Sequence, residues 1–135
     1  MRLNQNIALA MLDLDHFKTV NDNYGHATGD RVLRSLARML TQRLRATDVV
    51  GRYGGEEFAV ILTGASAEAA AKRLDEVRES FADLVHFANG QEFKVTFSCG
   101  IASAPPNGES AGLSESADKA LYKAKHSGRN CIVVS

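Results

Sequence analysis

Two apolar, β-forming runs, Val49-Val50 and Phe58-Ala59-Val60-Ile61-Leu62, flank Arg52-Tyr53-Gly54-Gly55-Glu56-Glu57. A Gly-Gly pair between such runs predicts a hairpin with a tight turn at its tip. Glycines there remove side-chain bulk and permit positive φ, so a ligand can approach the backbone. Glutamates beside that gap can hold a hard cation on which a polyphosphate sits, although Gly and Glu are also ordinary residues of a solvated turn. A second acidic group lies upstream. Ile7-Ala8-Leu9-Ala10-Met11-Leu12 is a continuous apolar run, too short to span a membrane and suited to a buried central strand. It ends at Asp13-Leu14-Asp15, whose two aspartates share a face because strand side chains alternate. Asp15 suits an N-cap for the helix that follows. Asp13 would be a buried carboxylate, costly unless paired or bound to metal. If the hairpin lies beside this strand, Asp13 and Glu56 jointly bind one or two divalent ions.

The rest of the chain alternates strands and helices without linker or repeat. A short helix is expected from Phe17 to Asn23, ended by Gly25. Thr28 or Asp30 caps a second helix, running to about Arg45, on which Val32, Leu33, Leu36, Leu40 and Leu44 form an apolar stripe. A third runs from about Ser66 to Leu84, with Ala70, Leu74, Val77 and Phe81 on one face. Val85-His86-Phe87 and Phe93-Lys94-Val95-Thr96-Phe97 read as strands of a second hairpin about Asn89-Gly90. Pro105-Pro106-Asn107-Gly108 reads as a loop, Ser114 or Ser116 as the start of a last helix, and Gly128 as its C′ residue. Cys131-Ile132-Val133-Val134 then closes the sheet. The expected fold is an α/β (α+β) sandwich, a central mixed or antiparallel sheet flanked by helices, in one domain of 135 residues. Sixteen Lys and Arg balance sixteen Asp and Glu, which argues against a broad nucleic-acid or membrane surface driven by charge. Cys99 and Cys131 lack metal-ligand spacing and read as free thiols of a reducing, cytoplasmic compartment.

Several motifs in order resemble the GGDEF domain of diguanylate cyclases. They are Asp13-Leu14-Asp15-His16-Phe17-Lys18, Asn21-Asp22, Gly25-His26, Gly29-Asp30 and Arg52-Tyr53-Gly54-Gly55-Glu56-Glu57-Phe58. The closing signature is Ala117-Asp118, Ala120-Leu121-Tyr122, Ala124-Lys125 and Ser127-Gly128-Arg129-Asn130. The resemblance implies a sheet like that of nucleotidyl cyclases and polymerase palms. It also implies condensation of two GTP into cyclic di-GMP with release of two pyrophosphates. It places Mg²⁺ or Mn²⁺, two per half-site, on Asp13, Glu56 and the Leu14 carbonyl, with Glu57 as a helper of metal or proton transfer. Phe17 and Lys18 at the first helix, Gly55 at the hairpin tip, and Lys125 and Arg129 around the last helix are implied for phosphate. On position alone, Lys18 would read as an exposed helical lysine, and Lys125 and Arg129 as helix C-terminal cations. Asn21 and Asp30 match the guanine-reading positions, with His26 shaping the same loop. Both types also favour turns and first helical turns on structural grounds.

Arg45-Ala46-Thr47-Asp48 is an Arg-x-x-Asp pattern placed as the family's product-inhibition site requires. The bland alternative is a helix-end arginine paired with a loop aspartate. Some members add a second arginine from the next helix. Here an ungapped reading puts Glu76 there, with Arg73 and Arg78 near. Members usually also carry an Asp-x-Leu-Thr-Gly-Leu-x-Asn-Arg-Arg segment and a helix before the first strand, whereas this chain enters the strand soon after Met1-Arg2-Leu3-Asn4-Gln5-Asn6. That departure predicts an uncovered apolar patch and a piece of a larger sensor protein. Two chains must meet for the reaction, so a transient homodimer controlled by sensory domains is the implied partner state. The alternative is a catalytically silent module that binds GTP or cyclic di-GMP as a signal.

Overall fold

The computed structural model describes residues 5–104 and 111–135. The loop expected at Pro105–Gly108 lies outside them. Its elements are β1 (Ile7–Leu14), α1 (Phe17–Tyr24), α2 (His26–Arg43), β2 (Val49–Arg52), β3 (Glu57–Thr63), α3 (Ala67–Asp83), β4 (His86–Ala88), β5 (Gln91–Phe93), β6 (Phe97–Ala104), α4 (Leu113–His126) and β7 (Ile132–Val134). Five strands form one sheet in the order β2-β3-β1-β6-β7, and β4-β5 form a separate ribbon. β1 is antiparallel to both β3 and β6, whereas β7 joins β6 in parallel, so the sheet is mixed. The expected sandwich of helices around a mixed sheet is therefore the observed fold.

Alternation along the strands divides the molecule into two layers. Ala8, Ala10, Leu12 and Leu14 of β1, with Phe58, Val60 and Leu62 of β3 and Phe97, Cys99 and Ile101 of β6, face the larger core. There they meet the stripes of α1, α2 and α3, including Phe17, Leu36, Leu40, Leu74 and Phe81. The opposite parity, Leu9, Met11, Ala59 and Ala102, meets Ala117 and Leu121 of α4. Because α4 packs on β1, β6 and β7, residues Ile7, Leu9, Ala59 and Ile61 are only partly buried on that face. Cys99 and Cys131 are free thiols, and complete burial pushes the Cys99 thiol far above its ordinary range.

Local signals differ from expectation at four places. Gly25, at φ 91°, ends α1 and also serves as the N-cap of α2, so Thr28 and Asp30 lie inside the helix and cap nothing. Leu44 is extended at the far end, stopping α2 at Arg43 and freeing Arg45 for a turn. The last helix starts at Leu113 after a left-handed Gly112, ahead of both serines expected to begin it. The Asn89-Gly90 hairpin is present, with φ of 53° and 73° as a type I′ turn needs. However, Phe93–Phe97 is not one strand: β5 stops at Phe93, and Phe97 opens β6, a central strand. By contrast α3 starts where expected, with Ser66 as its N-cap, the hydroxyl accepting from the Ala69 amide at 3.1 Å.

Gly100 sets how closely α4 approaches the sheet. A Cβ there would overlap the backbone of Leu121 and Ala117, and backbone cannot rotate away as a side chain can. Gly100→Ala is expected to destabilise the fold by about 2 kcal/mol, within the range for overpacking. Thermal unfolding checks this, and an unchanged melting temperature would show that α4 can lift without cost.

Candidate functional site

The antiparallel register places Asp13 of β1 opposite Glu57 of β3 and Ser98 of β6. The hairpin tip closes with the Tyr53 amide donating to the Glu57 carbonyl at 2.8 Å, and Gly54 turns at φ 88°. Arg52 Nη2 donates to the Gly55 carbonyl at 2.7 Å, stiffening the exposed tip. The Leu14 amide reaches the Glu56 carbonyl at 3.4 Å, which brings the Leu14 backbone beside Glu56. Asp13, Leu14, Glu56 and Glu57 thus converge at one end of the sheet.

Asp13 is only 2 % exposed, the condition that makes a bare carboxylate expensive. Lys125, from the last turn of α4, donates to its Oδ2 and forms a partly buried ion pair. Lys125 is therefore not a helix cap. Oδ1 of Asp13 is buried and meets no donor. Glu56 lies within hydrogen-bonding reach of Asp13, so two carboxyl groups face each other and need a proton or a cation between them. Burial raises the Glu56 carboxyl above its ordinary value; the Asp13 charge and hydrogen bond add to this, and Lys125 opposes it. Burial also leads the rise at Glu57, again with Asp13 adding and Lys125 opposing. Each group binds its proton more firmly folded than unfolded. The stability they contribute is therefore present at low pH and declines as pH climbs from the ordinary carboxylate value through the raised one.

These donors suit a hard divalent cation. Among the described residues no three His, Cys, Asp or Glu side chains form a closed metal cage. Asp13, Glu56 and the adjacent Leu14 carbonyl instead offer a few oxygens on one side, which fits an ion that keeps water and substrate phosphate as its other ligands.

The remaining predicted residues are distributed around this cluster. Phe17 is buried, so only its amide is available to a ligand, whereas Lys18 stands exposed in the first turn of α1. Asn21 packs over Gly29: a Cβ at Gly29 would overlap Asn21 Oδ1 and touch the Phe17 ring. That close approach joins α1 to α2 and sets Asn21, whose Oδ1 is buried without a partner, beside the turn carrying exposed Asp30. His26 is the exposed first residue of α2. Arg129 is exposed just past α4, its amide donating to the Ala124 carbonyl at 3.1 Å.

Arg45 and Asp48 lie apart from this group. Arg45 Nη2 donates to the carbonyl of Thr63, the end of β3 remote from Glu57 and roughly 20 Å away along the strand. Asp48 accepts from the Arg45 amide at 2.9 Å and pairs with its guanidinium at 3.6 Å, so the bland pairing does exist. Yet Asp48 Oδ1 is buried without a hydrogen bond beside a cavity of about 330 Å³ lined by Thr41, Leu44, Arg45, Ala46, Val49 and Val50. Arg78 is no second arginine for that site, being held by Asp75 at 2.6 Å and Asn130 at 3.0 Å.

Asp15 corrects one expectation and exposes residues that sequence reasoning missed. It does not cap α1, whose N-cap residue is left-handed His16 with no side-chain cap bond. Its carboxylate accepts from Thr96 Oγ1 and Ser98 Oγ, both at 2.7 Å, and from the Asn130 amide at 3.0 Å. Thr96, Ser98 and Asn130 carried no ligand signal of their own, and only the pairing of distant strands reveals them.

Removing the cation from Asp13 tests the cluster. Lys125→Met is expected to cost about 2 kcal/mol, less than a fully buried pair because Lys125 is part-exposed. Mg²⁺ should then raise the melting temperature of the variant more than that of the parent. Equal responses would show that the cluster holds no cation.

The chain matches the family described as "Diguanylate cyclase, GGDEF domain" over residues 1–131. It is 47 % identical over 130 residues to the uncharacterized protein YhcK of Bacillus subtilis, covering 95 % of this chain and 36 % of that one. It is 41 % identical over 129 residues to diguanylate cyclase DgcP of Pseudomonas aeruginosa, covering 96 % and 19 %. The chain thus spans about a third or less of these relatives' length. Among solved structures, the GGDEF domain of DgcB from Caulobacter crescentus in complex with c-di-GMP superposes with a TM-score of 0.90 at 36 % identity, over 96 % of this chain and 78 % of that one. The active GGEEF domain of a Vibrio cholerae diguanylate cyclase, which shares the Gly-Gly-Glu-Glu-Phe spelling, gives 0.88 at 31 %, over 96 % and 83 %. Cyclases with this domain depend on metal in general. Matched over nearly its whole length, and carrying the acidic cluster at the end of β1 and β3, the chain belongs to the GGDEF family of diguanylate cyclase domains.

Proposed function

We propose that this chain is a diguanylate cyclase domain, condensing two GTP into cyclic di-GMP and two pyrophosphates in the cytoplasm, where GTP is made. The observation that carries the proposal is the buried, under-satisfied Asp13 facing Glu56, with Lys125 at its side. Bound Mg²⁺ or Mn²⁺, two per half-site, would sit on Asp13, Glu56 and the Leu14 carbonyl, and would neutralise the triphosphate and polarise its α-phosphorus. The chain's own groups do the positioning. Amides of Phe17 and Lys18 open α1 toward the phosphates, joined by the Lys18, Lys125 and Arg129 side chains and by close passage at Gly55. Asn21 and Asp30 present acceptors to the N1–H and N2–H₂ edge of guanine from where α1 meets the first turns of α2; the loop expected around His26 is replaced by the start of that helix. The raised carboxyl of Glu57 takes the proton of the ribose 3′-hydroxyl. The ribose 3′-oxygen then bonds to the α-phosphorus of the nucleotide on the partner protomer, and the bond from that phosphorus to pyrophosphate breaks.

Each protomer supplies half of the reacting pair, so a homodimer, brought together by sensory domains in a parent protein, is the working state. Product would bind at Arg45 and Asp48, whose buried carboxylate oxygen awaits a donor such as guanine N1–H. Glu76 at the aligned second-arginine position makes this feedback weak.

The test incubates the purified chain with GTP and Mg²⁺ over a protein concentration series and quantifies cyclic di-GMP by chromatography. Product should rise more steeply than linearly with protein, and Glu56→Ala should lower it by roughly 100-fold or more, as loss of a charge-stabilising group does. GTP binding without product would favour the silent module instead. Separately, Arg45→Ala should raise the cyclic di-GMP concentration needed for half-inhibition about tenfold, the scale of one charge-assisted contact. An unchanged inhibition curve would remove Arg45 from the product site.

A further inference from the structure

Asp13 and Asp15 are both buried, at 2 % and 5 % exposure, and stand two residues apart on one side of the sheet. Their surroundings differ. Asp13 keeps one oxygen without a donor, whereas both oxygens of Asp15 are taken, by Thr96, Ser98 and the Asn130 amide. Its own amide donates to the Thr96 carbonyl at 2.9 Å, so Asp15 is fastened by backbone as well as side chain. A carboxylate saturated in this way is a strut and has little left to offer a ligand.

The strut meets the chain at a turn of left-handed backbone. Gly128, Arg129 and Asn130 have φ of 110°, 63° and 46°, a run of three left-handed residues of which two carry side chains. Such a conformation persists only where its surroundings hold it. Arg129 is clamped from the helix side by the hydrogen bond its N–H donates to the Ala124 carbonyl, and Asn130 from the sheet side by Asp15. Arg78 Nη1 adds a third tie to Asn130 Oδ1 at 3.0 Å. Between these ties the Arg129 side chain remains exposed.

We infer that Asp15 is a positioning residue: through the Asn130 amide it holds the left-handed turn that presents Arg129 to the nucleotide phosphates. This rests on the phosphate role given to Arg129 above. An isosteric amide preserves the device. The Asn oxygen can accept from Thr96 and Asn130, and its NH₂ can donate to a rotated Ser98 hydroxyl.

The test is the affinity of the purified chain for a non-hydrolysable GTP analogue in Mg²⁺, by calorimetry, with thermal melts to confirm folding. Asp15→Ala should weaken binding about tenfold, the scale seen when an outer partner of a ligand-binding group is lost. Asp15→Asn should stay within about threefold of the parent, because it keeps the bond to Asn130. In an Arg129→Ala background Asp15→Ala should add nothing, the mark of two residues acting as one. Should the alanine variant not fold, Asp15→Ser, too short to reach Asn130, takes its place with the same expectations. Additive losses would overturn the inference while leaving the phosphate role of Arg129 standing. An asparagine variant as weak as the alanine one would also overturn it, since charge and not the bond would be at work. Full affinity in Arg129→Ala alone would overturn the phosphate role itself, and this inference with it.

Discussion

A carboxylate buried at the end of a central strand is tolerated only if its surroundings are fixed, and the register of β1 against β3 and β6 does the fixing. Ala8, Ala10, Leu12 and Leu14 fill the larger core, so Asp13 must face α4. A slip of one residue would carry Asp13 into the apolar layer and bring Leu12 out, at a cost no charge pairing could offset. The same ladder sets Glu57 opposite Asp13, with Glu56 at the turn beside it. The acidic cluster is thus a consequence of hydrophobic packing, held in place by apolar side chains that face away from it.

α4 completes the arrangement from the other side. Gly100 lets its backbone sit flush on β6, and from that distance Lys125 reaches Asp13. The ammonium offsets part of the cost of burying the carboxylate, while Glu56 and Glu57 keep raised carboxyls, first through burial and then through the Asp13 charge, which Lys125 only partly opposes. A cation between Asp13 and Glu56 would add to the positive charge that Lys125 supplies there. Groups left costly in this way are what sites that bind charged ligands are commonly built from.

Much of this was legible in the residues. The apolar run before Asp13, the Gly-Gly tip and the helix stripes each obey a local rule, and each lies where that rule puts it. The adjacency of Asp13 and the hairpin followed once both were assigned to one sheet. What escaped was non-local. β6 was hidden because Phe97–Ala104 contains Ser98, Gly100 and Ser103, which dilute the strand pattern; its centrality comes from pairing on both sides. Gly25 overrode Thr28 and Asp30 as the N-cap of α2 because a positive-φ glycine can end one helix and start the next at once. Thr28 and Asp30 are cap-forming types that fall too late in the chain.

Asp15 is the sharpest case of a residue type misread for want of its partners. By sequence it differs from Asp13 only in following it by two positions, and an aspartate before a helix reads as a cap. The three donors that decide its role come from positions 96, 98 and 130, more than eighty residues away. Spacing put the two aspartates on one side of the sheet; the supply of donors there separates them. Where donors saturate the carboxylate it fixes the backbone, and where they fall short an oxygen is left without a partner. The division of labour between two identical side chains is therefore set by the hydrogen-bond capacity of β6 and of the turn after α4.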